Sequence, residues 1–265
     1  MYSPVQLAIK YARYLFSASN GKGHGVHSPF VFSFIKNVLN DRKAYPCYQT
    51  IEKERHALLK DDSIIEVADF GAGSTVIKTK SRRISKIAAS SLKPKKYAQL
   101  LFRMSQYYKP GTILELGTSF GITTAYLASG NPAASVFTLE GAPAIAAKAK
   151  QYFEKMQLKQ ISLLQGRFDE TLPQLLQSIK MVDMVFIDGN HRKESTIQYF
   201  EMIRRNAGHS TIFIFDDIHW SKGMEEAWEH ISMHPDVTLT IDLFFIGIVF
   251  INPDFKIKQQ FRIRF

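Results

Sequence analysis

Residues 113–121 read ILELGTSFG, an apolar run broken by one carboxylate, Glu115, and followed by a turn bounded by Gly117 and Gly121. This predicts a short buried strand that ends in small residues and opens a helix over 122–129, where backbone amides can approach a ligand closely. A dinucleotide-binding turn uses G-x-G-x-x-G to cradle a pyrophosphate. Here E-x-G-x-x-x-G sets an acid beside the turn, where it repels phosphate and attracts a cation.

From this strand onward, apolar strands alternate with helical patterns. Strands are expected at 113–117, 135–140, 161–165, 182–188 and 211–216, with helices at 122–129, 143–157, 169–179 and 193–206. Strands apolar on both faces and separated by helices predict a doubly wound, mostly parallel α/β sheet. After a further helix near 223–233, residues 237–242 and 244–251 form two strands too close for a crossover helix. They are expected as a C-terminal antiparallel hairpin, which brings the sheet to seven strands.

Upstream, Ser3-Pro4 and Ser28-Pro29 mark the starts of helices reaching about residues 16 and 40, and a third helix is expected over 48–60. The expected organisation is a helical N-terminal extension over 1–92, serving as lid and substrate-specificity region, followed by a catalytic domain over 93–265. A second glycine-rich segment, ADFGAGS at 68–74, competes for the role of ligand loop. A basic stretch follows it and no second strand ends in an acid at the expected distance, so a mobile turn or a lid is the expectation.

With 265 residues, 45% of them hydrophobic, the chain can bury one substantial core. A single cysteine, Cys47, excludes an internal disulfide framework and suits a reducing compartment. Lys10 and Arg13 interrupt the apolar residues at the N-terminus, which therefore lacks a signal-peptide layout. No run approaches the roughly 20 apolar residues of a spanning helix, and a cytoplasmic protein is expected. The net charge of +10 is unevenly placed: no acid lies between Asp69 and Glu115, whereas Lys78, Lys80, Arg82, Arg83, Lys86, Lys93, Lys95, Lys96, Arg103 and Lys109 do. A solvated basic face is one reading, and a surface for RNA, acidic lipid or a phosphorylated substrate is the other. The densest part, 78–96, lacks the aromatic residues on which single-stranded nucleic acid stacks.

Ligands of doubly wound sheets sit outside the carboxyl ends of the strands, so the residues just past each strand carry the chemistry. The second strand ends at Glu140, whose carboxylate can accept two hydrogen bonds from a vicinal diol. The third runs into Gly166-Arg167-Phe168, a place for a flat ring. Glu140 as a helix-entry acid, Phe168 as core and Gly121 as helix packing are the structural alternatives. The fourth and fifth strands end at Asp188 and at Asp216-Asp217. Three carboxylates at neighbouring strand ends repel unless neutralised, and a hard divalent cation, Mg²⁺ first, is the expected answer. A helix cap or a raised pKa are the alternatives. His191, three residues after Asp188, is placed to take a proton from a hydroxyl, with a backbone-bonded loop histidine as the other reading.

The segments ILELGTSFGITTAYLA, VFTLEG, GRFDETLPQLL, VDMVFIDGNH and FIFDDIHW, in this order and spacing, resemble the class I S-adenosylmethionine-dependent methyltransferases of the divalent-cation-dependent O-methyltransferase group. The resemblance spans residues 113–250 and implies a Rossmann-like fold. It further implies that Glu115, Gly117 and Gly121 hold the methionine end of the donor, Glu140 its ribose, and Gly166, Arg167 and Phe168 its adenine. Thr118, Ser119, Gly141 and Asp188 complete the implied donor contacts. Asp188, Asp216 and Asp217 correspond to metal ligands, and His191, with Asp188 beside it, to the catalytic base. Asp217 stands where the catechol-type branch commonly has asparagine and His191 where it has lysine; both departures look similar to the sugar and natural-product branch.

The function this implies is an EC 2.1.1-type transfer of a methyl group from S-adenosylmethionine to a hydroxyl of a small molecule, acidic or phosphorylated acceptors included. Two alternatives stand beside it. One is an RNA methyltransferase, tRNA included, that uses the basic segment 78–109. The other is a non-catalytic or redox nucleotide-binding protein. A homodimer is the further partner to test.

Overall fold

A computed structural model describes residues 1–69 and 78–265. The chain opens with α1 (Pro4–Ser17), α2 (Pro29–Phe34), which runs into a π-helical turn at Ile35–Leu39, and α3 (Pro46–Lys60). All three α-helices start on proline, whose missing N–H costs nothing there. The hydroxyls of Ser3 and Ser28 accept from the amides of Gln6 and Val31 and cap the first two.

An antiparallel pair follows, β1 (Ile64–Asp69) and β2 (Lys78–Arg83), and then α4 (Ile84–Ser91) and α5 (Lys95–Tyr108). The N-terminal segment is helical as expected, and this two-stranded pair is an addition to it. Strand β2 reads KTKSRR and has no apolar alternation; its ladder defines it, from Ile64 opposite Arg83 to Asp69 opposite Lys78. Of the glycine-rich segment 68–74, residues 70–74 lie outside the described residues.

The alternation then runs β3 (Thr112–Leu116), α6 (Ile122–Gly130), β4 (Ser135–Glu140), α7 (Pro143–Lys155), β5 (Ile161–Gln165) and α8 (Phe168–Ser178). It continues with β6 (Val182–Ile187), α9 (Lys193–Arg204), β7 (Ala207–Asp216) and α10 (Lys222–Met233). Three strands close the chain: β8 (Leu239–Asp242), β9 (Ile246–Phe250) and β10 (Gln259–Arg262). The fold class is the expected one, mostly parallel strands flanked by helices, with antiparallel strands near the C-terminus. β10 is a strand beyond the seven expected.

The chain divides into two compact units, residues 42–178 and residues 1–41 with 179–265. In the first unit β4 lies between β3 and β5, all parallel. Its core joins Ile51, Ile84, Phe102, Phe120, Tyr126 and Phe153, and each such side chain contributes about 1.5–3 kcal/mol by leaving water. The hydroxyl of the fully buried Tyr126 donates to Glu52 at 2.9 Å, and Glu52 also accepts from Arg55 at 2.9 Å, so this carboxylate of α3 is met from two sides.

In the second unit the strand order is β10-β8-β9-β7-β6, with β6 parallel to β7, β9 antiparallel to both β7 and β8, and β10 parallel to β8. The expected hairpin is β8 and β9. Helix α1 packs on its turn, where Tyr14 and Ala18 meet Phe244 and the Tyr11 ring lies edge-on to Phe244 at 4.9 Å. Among the described residues no helix is long and apolar enough to cross a membrane.

Candidate functional site

In the first unit the site begins at Glu115 in β3, which is fully buried. One carboxylate oxygen accepts from the hydroxyls of Thr124, on α6, and Thr138, on β4 at 2.6 Å, while Oε1 has no hydrogen-bond partner. Burial pushes this carboxyl up to about 7; the two threonine hydrogen bonds pull it down, and the charge of Glu140 adds to the rise. Both threonines are residues that the sequence pattern did not single out. Thr124 is three residues past Gly121, and Thr138 faces Glu115 directly across the ladder.

The turn after β3 is held by the amides of Gly117 and Thr118, which donate to Leu139 O at 3.0 and 3.1 Å. Its backbone is left-handed at Gly117, Ser119 and Gly121, with φ of 104°, 48° and 80°. At Gly121 a Cβ would also stand 2.5 Å from the Phe153 ring, so helix packing and conformation both demand glycine. Ser119 reaches Ser91 through a hydroxyl contact of 2.8 Å, which brings the end of α4 to the turn.

Glu140, at the end of β4, accepts from the amides of Ser119 and Ala142, each at 2.9 Å. Burial raises its pKa, against the hydrogen bonds from the amides of Ala142, Ser119 and Gly141. Its carboxylate thus orders the turn, and its remaining lone pairs can still meet a diol. Gly166, with φ 147°, donates to Glu140 O at 3.0 Å, so the loop after β5 is tied to the end of β4. Arg167 is paired with Asp169 at 3.4 Å and Glu170 at 3.6 Å, and Phe168 starts α8 half-buried.

In the second unit the ends of β6 and β7 bring Asp188, His191 and Asp216 together, with one ligand atom of each within 4.8 Å of the others. Asp216 is buried and the other two are half-buried. His191 Nε2 lies 3.6 Å from Asp188 Oδ1. The turn that returns His191 toward Asp188 is left-handed at Asn190 (φ 57°), whose side-chain amide donates to Ser195 Oγ at 2.9 Å and Tyr199 OH at 3.2 Å. Asp217, expected as the third ligand, is outside this group. It has φ 53°, and its amide donates to Phe245 O at 2.7 Å. The D-x-x-H spacing of 188–191 is the signal that could have placed the histidine among the ligands. Two carboxylates and an imidazole suit a divalent cation, and the imidazole favours Mn²⁺ or a later metal over Mg²⁺.

The same unit holds a second charged cluster. His219 Nδ1 meets Glu225 and Nε2 meets Asp242, each at 3.0 Å. Burial works against protonation of this imidazole, but its hydrogen bonds and attraction to Asp242 and Glu225 outweigh it and raise the pKa. Glu225 also accepts from Lys10, at 2.9 and 3.0 Å, and from Tyr2 OH at 2.6 Å.

Residues 114–218 match the family model of a methyltransferase domain. No curated protein matches the sequence. Among solved structures, the chain is similar to the S-adenosylhomocysteine-bound methyltransferase PaMTH1 of Podospora anserina, with a TM-score of 0.61 and 13% identity over 95% of this chain and 98% of that one. It is also similar to the O-methyltransferase of Bacillus cereus in complex with S-adenosylhomocysteine, with a TM-score of 0.55 and 20% identity over 83% of this chain and 97% of that one. A third is the O-methyltransferase TomG of Streptomyces achromogenes in complex with S-adenosylmethionine, with a TM-score of 0.54 and 19% identity over 61% of this chain and 82% of that one. The match over residues 114–218 is to a methyltransferase domain, and the fold is the one these methyltransferase structures share.

Proposed function

We propose that this protein transfers a methyl group from S-adenosylmethionine to a hydroxyl of a small molecule with the help of a divalent cation. The observation that carries the reading is Glu115. A carboxylate sealed in the core with one oxygen unpartnered is unfavourable by itself, and a cationic ligand supplies what it lacks. The donor is such a ligand, with an ammonium and a sulfonium. The left-handed turn 117–121 gives it close backbone approach, Glu140 takes its ribose diol, and Gly166, Arg167 and Phe168 lie beside its adenine. The S-adenosylmethionine bound in the TomG structure and the S-adenosylhomocysteine bound in the Bacillus cereus structure support this assignment.

Asp188, His191 and Asp216 would hold the cation, which when bound lowers the pKa of an acceptor hydroxyl and orients its oxygen. These side chains then have a positioning task, since transfer from a sulfonium disperses charge and gains most from alignment. If the imidazole holds the cation it is not the base, and the proton leaves to solvent; if it does not, His191 is the base expected from the sequence.

Calorimetry on the full chain separates the parts. Glu140→Ala is expected to weaken S-adenosylhomocysteine binding at least about tenfold through lost charged hydrogen bonds. Asp216→Asn is expected to leave that affinity within about twofold while Mn²⁺ binding and methyl transfer are lost. Transfer that persists in the presence of a chelator removes the cation from the reading. Binding of a nicotinamide dinucleotide in place of S-adenosylhomocysteine removes the reaction.

A further inference from the structure

Strands β8 and β10 pair in parallel with Thr240 beside Gln260 and Asp242 beside Arg262. Side chains alternate along a strand, so these four polar residues share one face of the sheet. Helix α10 covers that face and presents Trp228 and Ser232, one turn apart, and Ser17 at the end of α1 reaches the same space. The side chains enclose a cavity of about 370 Å³. Apolar residues are what a helix-covered sheet face ordinarily carries. Here the floor is Thr240, Asp242 and Ser232, which are only 3%, 4% and 6% exposed, and the exposed Gln260 and Arg262 stand at the mouth.

The polar groups of the floor are not all used within the protein. Asp242 Oδ1 accepts from the amide of Phe244 at 2.8 Å, and its Oδ2 meets His219 at 3.0 Å and Arg262 Nε at 3.6 Å. The hydroxyl of Ser232, in contrast, is buried with no hydrogen-bond partner. A hydroxyl in that position costs about 1–3 kcal/mol unless something enters to meet it.

We propose that this cavity is a binding site for a neutral polyhydroxylated small molecule. The chemistry of the walls selects the class. An anion would meet the buried Asp242 carboxylate, a cation would face Arg262 and the imidazole of His219, and an apolar molecule would leave Ser232 and Thr240 desolvated. A molecule with several hydroxyls donates to the carboxylate and accepts from the guanidinium, the Gln260 amide and the serines. The cavity volume is within the range of small-molecule sites.

The site is separate from the Asp188 cluster. Asp242 pairs with Gly247, which pairs with Phe215, so these three share a face, whereas Asp216 pairs with Ile246 and points to the other. Trp228 lies on the Asp242 side: a Cβ on Gly247 would come within 2.5 Å of its ring, and Phe215 meets it edge-on. The occupant is therefore an effector or anchoring ligand and not the methyl acceptor.

Calorimetric titration of the full chain with myo-inositol and with D-glucose tests this, with inorganic phosphate as the anionic comparator. Saturable binding of at least one polyol with a Kd of about 1 mM or tighter is expected. Ser232→Ala is expected to weaken it about tenfold while thermal stability holds or rises, because the hydroxyl it removes has no partner in the protein. Thr240→Val should weaken it similarly. The proposal is overturned if neither polyol saturates, if phosphate binds in their place, or if both variants bind as the parent does. S-adenosylhomocysteine affinity, unchanged in both variants, keeps this result independent of the methyl-transfer reading.

Discussion

At the scale of one residue, Glu115 couples protein stability to ligand binding with opposite signs. Its carboxyl is raised to about 7 by burial, whereas in the unfolded chain it titrates near its ordinary value of 4.5. Between those values the folded chain binds the extra proton, so its stability falls as pH rises and the loss is complete above about 7. The span corresponds to about 3 kcal/mol. A cationic donor prefers the ionised form, so its affinity should rise over the same interval. Glu115→Gln removes the titration: thermal melts at pH 8 should show a more stable protein, and S-adenosylhomocysteine should bind more weakly and without pH dependence. A variant that melts lower and still binds with the parent's pH slope would assign the coupling to another group. The residue itself was legible, as the lone acid in an apolar strand before a glycine turn. Its depth was not, because Thr124 and Thr138 reach it through the helix register and the ladder, neither of which one strand's sequence contains. Asp216 and Asp217 show the same limit. Which of two adjacent aspartates turns toward Asp188 is set by a left-handed residue at 217, and the pattern of residue types does not specify it.

At the scale of elements, the strands that bury both faces were legible to within about two residues, because apolar composition alone sets them. The elements that were missed are held by partners. Strand β2 has four basic residues and no apolar one, β10 reads QQFR, and the first four residues of β7 are AGHS; each is a strand because of the neighbour it pairs with or continues. Helix α1 is likewise legible as a helix, while its anchoring depends on a charge cluster spread over the chain. The amine of Lys10 and the hydroxyl of Tyr2 hold Glu225, and His219 joins Glu225 to Asp242. Removing the buried centre of such a cluster takes one partner from each of two carboxylates, leaving Glu225 with Lys10 and Tyr2 and Asp242 with Arg262 and the amide of Phe244. His219→Leu is therefore expected to cost about 2–3 kcal/mol in denaturant unfolding. The Lys10–Glu225 pair is partly exposed, with side chains 32% and 26% accessible, and Lys10→Met should cost no more than about 1 kcal/mol. Equal losses would show that α1 is held by its lysine, and that the aromatic contacts of Tyr11 and Tyr14 with Phe244 add little.

At the scale of the whole molecule, the charge of +10 bears on whether RNA is the methyl acceptor. The acid-free segment between Asp69 and Glu115 supplies ten basic residues. Lys80, Arg82, Arg83, Lys86, Lys95, Lys96 and Lys109 are exposed, whereas Arg103 is buried. Such a face attracts any polyanion at low ionic strength, and that attraction does not by itself make a substrate. Phosphate contacts release counterions, so a chain that engages six or more phosphates should lose about a thousandfold in affinity between 50 and 200 mM salt. An exposed basic strand without interleaved aromatic residues has no stacking contribution to offset that loss. Filter retention of a structured RNA should therefore be strong at low salt and vanish near physiological ionic strength, while methyl transfer to a small hydroxylated acceptor stays nearly constant, its donor and acceptor contacts being short-ranged and sheltered from counterions. Labelled methyl groups recovered in RNA, with retention that survives 200 mM salt, would reverse the assignment and make the basic segment part of the acceptor site.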